Sequence, residues 1–157
     1  MKKNVLIVTL SFIATIACAD KKTEENSGNL KIESTEVTSD PKEILGKEWQ
    51  LKELNGAQIV LDTTFGKYPY IKFEDLKIAT GNLGCNGFGA KVEFTYSNSI
   101  KLSEITSTEM ACGNLDTEIQ FKKALQNTTN YGVSENILYL NNSENTTVAI
   151  LQNIVKD

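Results

Sequence analysis

The chain has no histidine, and all 16 of its basic residues are lysine. Without histidine it lacks the side chain that titrates near neutrality unperturbed and the commonest neutral ligand for zinc or copper. Without arginine it lacks the planar fork that grips phosphate or carboxylate in a bidentate fashion. Positive charge is scarce as well: 20 acidic residues give a formal net charge of −4. Such a chain repels nucleic acid and anionic headgroups, which are bound through clustered positive charge. Nucleic-acid binding, histidine-based catalysis and histidine metal sites are therefore not expected, and no cofactor is called for.

Long apolar runs are also missing, with one exception at the start. Lys2 and Lys3 precede an apolar stretch, 5–17, that has the length of a signal-peptide core and is too short to span a bilayer as a helix. It ends in Thr15-Ile16-Ala17-Cys18, which resembles a lipobox, the signal for lipid transfer to the cysteine and cleavage before it. The expectation is a signal peptide over 1–17 and a lipidated Cys18 that ties the protein to the cell envelope. Ala19 at the following position favours the outer membrane, on its periplasmic or surface face. The alternative is a general secretory signal cut at Ala17 or Ala19. Residues 18–43 are rich in Lys, Glu, Ser, Thr and Asn and lack apolar periodicity, the composition of a solvated tether. Within it, Ser39-Asp40-Pro41-Lys42 has the spacing of a serine–lysine nucleophile pair. That chemistry needs a rigid helix, so the match is read as accidental.

From residue 44 onward, short apolar alternations punctuated by Gly and Asn predict a mainly β (α+β) domain: a compact antiparallel sheet or barrel-like domain with one helix after the second cysteine. Strands are expected at 48–54, 58–61, 70–73, 77–80, 89–96, 99–102, 137–141 and 146–152, with a hairpin at Asn55-Gly56, whose residues tolerate positive φ. The helix is expected over 115–126, with Asn114 as N-cap, Asp116 at the positive end and Glu118 four residues before Lys122. One folded domain, 44–157, is all that the length supports.

Cys85 and Cys112 are the only other cysteines. In an exported protein they are most simply a disulfide, with free thiols and a metal pair as the alternatives; two thiols without histidine make a poor zinc site. Around Cys85 runs Gly81-Asn82-Leu83-Gly84-Cys85-Asn86-Gly87-Phe88-Gly89. A phosphate cradle would need a helix start and a lysine behind these glycines; a tight turn or bulge beside the disulfide is the better account. Asn86 divides between turn residue and ligand-facing amide, and Thr108 and Met110 between sheet position and core filler before any site role.

Gly84-Cys85-Asn86, then Thr108, Met110, Ala111 and Cys112 as a threonine-x-methionine-alanine-cysteine box, then Glu118 and Phe121, are together similar to the META domain family, also called HslJ-like after a heat-shock protein. Gly46, Trp49, Leu51 and the Asn55-Gly56 turn fit the opening of that domain. The resemblance implies a largely antiparallel β domain with one helix, found in exported proteins and lipoproteins tied to envelope stress, and brings no catalytic residue, metal or agreed ligand. It suggests a non-enzymatic module with two kinds of partner besides the membrane reached through its lipid: an envelope protein or an apolar ligand, the latter as in pilotin-like lipid binding. A hydrolase using two carboxylates, drawn from residues such as Glu53, Asp62, Glu74, Asp75, Glu104 and Glu109, is the third possibility.

Overall fold

The computed structural model describes residues 36–154 apart from 63, 65, 66 and 97. The expected signal peptide, Cys18 and the tether up to residue 35 lie outside the described residues. The domain opens on a single 3-10 turn, Pro41–Glu43, whose Asp40 side chain accepts from Lys42 N at 2.9 Å. Among the described residues nine strands and one helix follow: β1 Glu48–Leu54, β2 Ala57–Gln58, β3 Tyr70–Phe73, β4 Ile78–Asn82, β5 Gly87–Phe94, β6 Ile100–Ser107, α1 Leu115–Asn127, β7 Asn130–Ser134, β8 Ile137–Asn141 and β9 Thr147–Asn153.

All strands join one antiparallel sheet in the order β6-β5-β4-β3-β1-β9-β8-β7, with β2 pairing β1 alone. The sheet curls into a half-barrel. Its two edge strands meet at one end, where Ser99 bridges Asn130 and Ile100 N donates to Thr129 O at 3.0 Å. Alternation along each strand sends one set of side chains inward: Trp49 and Leu51 from β1, Ile71 and Phe73 from β3, Leu138 and Leu140 from β8 are fully buried. Phe94 of β5 meets Tyr131 of β7 edge-on, with centroids 5.8 Å apart. The Trp49 indole N–H donates to Ile44 O at 3.1 Å, so the largest core residue buries no orphan donor. Helix α1 packs Phe121, Ala124 and Leu125 into the same core.

Several local expectations are corrected. The strand expected at 58–61 stops at Gln58, and Val60 is left exposed. Strand β6 runs on to Ser107, past a bulge in which Ala90 faces both Glu104 and Ile105, because Glu104 adopts φ +49. Strand β7 was not expected. Its Asn-Tyr-Gly-Val-Ser sequence is buried on four successive residues and so shows no alternation. The helix buries Phe121, Ala124 and Leu125 together with Glu118, while Leu115 at its start is 45% exposed.

Within the stretch read as tether, residues 37–39 lie against β7. Thr38 and Val133 exchange two backbone hydrogen bonds, of 2.7 and 2.8 Å, and the Tyr131 hydroxyl donates to Ser39 O at 2.6 Å. Gly132 admits this segment, since a Cβ there would stand 2.8 Å from Val37 Cγ1.

Candidate functional site

The two cysteine motifs meet where the β4–β5 hairpin faces the segment between β6 and α1. The hairpin loop closes through Leu83 N donating to Asn86 O at 2.8 Å and Gly84 N donating to Asn82 Oδ1 at 2.8 Å. Gly84 has φ +123, which a side chain would rarely adopt, so one glycine of the motif is needed for the turn. This geometry sets Cys85 opposite Cys112, and the two form a disulfide.

Asn86 is 2% exposed and ties the motifs together. Its Oδ1 accepts from Thr108 Oγ1 at 2.8 Å and from Met110 N at 2.7 Å. Its Nδ2 donates to Met110 O and to both Glu118 oxygens at 3.0 Å, and its backbone N–H adds a third bond to Glu118 Oε2. Asn86 is thus more than a turn residue: it is a buried clamp on the Thr108–Met110 backbone. Glu118, 7% exposed, is the clamp's other half. A buried carboxylate is tolerable when several donors satisfy it and when it sits near the positive end of a helix, and both conditions hold in the first turn of α1.

The pair expected between Glu118 and Lys122 is not made: Lys122 Nζ donates to Ser107 Oγ at 3.3 Å instead. Asn114 occupies the N-cap position, but its side chain makes no cap bond to the helix. It reaches across to the β2–β3 loop, where Asn114 Oδ1 accepts from Asp62 N at 2.8 Å and Asn114 Nδ2 donates to Asp62 O at 2.9 Å. The Thr64 backbone N–H and hydroxyl hold the Asp62 carboxyl below the usual range.

The clamp fixes the backbone of Met110 yet leaves its side chain 59% exposed, so Met110 is not core filler. Ala111 is exposed beside it, and α1 contributes Leu115 and Ile119, the latter 57% exposed. Met110, Ala111 and Leu115 line a cavity of about 310 Å³ together with the buried Asn86 and Glu118 and with Ser107, Thr108 and Glu109, and Ile119 lies one turn beyond Leu115 on α1. Sequence reasoning singled out the motif residues but missed the patch, because Leu115 and Ile119 read as ordinary helix positions and nothing local marks Glu118 as buried.

Gly87 and Gly89 do not serve the turn. Both lie within β5 without positive φ, and a Cβ on Gly89 would meet nothing within 4 Å. They floor an open groove of about 500 Å³ rimmed by Thr106, Ser107 and Thr108. Of the carboxylates considered for catalysis, Glu74 is bound to Lys72 and Thr80, and Glu104 to Lys91. Glu109 shares the Met110 cavity with Glu118, whose two oxygens are already taken by Asn86. Among the described residues no group of three or more Cys, Asp or Glu is placed to hold a metal ion. In the Ser39–Lys42 segment, Ser39 and Lys42 flank Pro41 of the 3-10 turn rather than facing one pocket from a helix.

A family model for the META domain matches residues 42–154. The chain belongs to the META domain family. Two solved structures share the META domain's fold here. One, described as "NMR structure of the protein", is 17% identical with TM-score 0.57 and covers 72% of this chain and 93% of its own. The other, an NMR structure of a protein from Burkholderia xenovorans, is 16% identical with TM-score 0.56 and covers 73% of this chain and 86% of its own. At these identities the likeness is one of fold. No curated protein matches the chain.

Proposed function

We propose that this META domain is a non-enzymatic binding module of the cell envelope, held there by lipid on Cys18, and that it engages a partner through the Met110 patch. The observation that carries this reading is the contrast at Met110: an apolar side chain displayed to solvent on a backbone clamped by a buried asparagine. Pre-organising an exposed apolar group lowers the ordering cost of binding, and Met is a side chain that adapts to varied partners. Leu115 and Ile119 extend the apolar area beyond a scattered single residue.

A ligand held inside the sheet has less support. The interior is filled by Trp49, Phe73, Phe121, Tyr131 and their aliphatic neighbours in one continuous core. Two measurements test the proposal. Intact mass of protein taken from its own membrane should show a lipid on Cys18, and an unlipidated mass would remove the anchor. Crosslinking in the envelope should give a partner that is lost in Met110→Asp/Leu115→Asp; the same adducts with both proteins would remove the patch.

A further inference from the structure

We infer that the Met110 patch accepts a polypeptide segment that carries a lysine or arginine between apolar side chains. This deepens the reading of the patch as a binding surface and rests on it. The Glu118 carboxylate is buried in the lining of the cavity, and every one of its bonds comes from neutral donors of Asn86. No ammonium among the described residues lies within 4 Å of it, since Lys122, one turn further along α1, is turned to Ser107. Neutral donors satisfy the oxygens but leave the net charge in place, and a cation brought beside it out of water is drawn more strongly than at an open surface.

The charge around the cavity is mostly of the same sign: Glu109 lines it and Asp116 shares the first turn of α1, both exposed, against one ammonium, that of Lys122, which is held at 3.3 Å by the lining residue Ser107. Met110, Ala111 and Leu115 line the same cavity as Glu109 and the buried Glu118, so the complementary surface is a basic side chain flanked by apolar ones. Anionic lipid headgroups and acidic peptides meet repulsion at this face. An aliphatic stem ending in a cation fits such a site: its carbons cover Met110 and Leu115 while its head reaches the carboxylates.

The test uses the full chain and three labelled peptides of equal length, lysine–leucine, serine–leucine and glutamate–leucine, followed by fluorescence anisotropy at low and high salt. The lysine peptide is expected to bind best, and Glu109→Gln/Asp116→Asn should weaken it about tenfold, while neutralising Glu135 and Glu144 outside the patch leaves it unchanged. Equal weakening by both pairs would mean diffuse attraction to an acidic protein and would overturn the inference. If Met110→Ser/Leu115→Ser abolishes binding of all three peptides but the patch charges have no effect, the binding surface stands and the basic partner falls. If no patch variant changes anything, both fall. Patch-dependent self-association, or binding of phosphatidylcholine vesicles in preference to the lysine peptide, would likewise overturn it.

Discussion

Position 86 shows how much one side chain can organise. Asn86→Ala removes the acceptor for Thr108 and Met110 and the amide that faces Glu118, leaving a buried carboxylate short of donors. We expect a loss of about 3 kcal/mol or more, read as a lower urea midpoint with unchanged slope. The glycines separate by the same kind of reasoning. At Gly81 a Cβ would overlap Tyr70 O and the Phe88 ring, so Gly81→Ala should prevent or severely weaken folding. At Gly89 a side chain meets open space, and Gly89→Thr should leave stability unchanged or raise it by up to about 1 kcal/mol, since glycine in a strand interior is itself a cost. The pair of melting curves checks both. Identity alone cannot rank these glycines, because what differs is the neighbouring strand and not the local sequence.

At the level of elements, the segment before the 3-10 turn is part of the sheet's edge. The Tyr131 hydroxyl, bound to Ser39 O, has its pKa pushed up to about 12 by burial and then by the negative charge of Asp40. The folded state therefore holds this proton more tightly than the unfolded chain. The associated stability is complete below pH about 10 and is lost as pH rises from about 10 to about 12. Tyr131→Phe should show a shallower decline than the parent over that window in urea titrations. The clearest strands, β1, β3 and β8, were legible because each has one wet face and so alternates. Strand β7 and the far half of β6 were not. In β7 Tyr131 lies among Gly132 and Val133, buried where alternation would demand exposure, and in β6 the bulge at Glu104 resets the phase partway along. Cys85 and Cys112 were legible as a pair, whereas the contact between Asn86 and Glu118 spans 32 residues and has no local signature.

For the whole molecule, the disulfide joins a hairpin to the start of the helix across 27 residues. Replacing both cysteines by serine should cost about 3 to 4 kcal/mol, by the loss of a constraint on the unfolded chain. The Asn86 clamp should keep the Thr108–Met110 segment in place, so amide exchange at Met110 is expected to rise less than at Ala111. Strand β1 lies between β3 and β9, so one of its edges pairs early in the chain and the other pairs roughly a hundred positions later, with Trp49 opposite Asn153. Contacts so distant along the chain form slowly, and here they await the final strand of the domain, β9. While a ribosome is still adding residues, the middle of this sheet has an open edge and no finished core. The sheet is therefore kept loose until β9 has emerged and can pair with both β1 and β8.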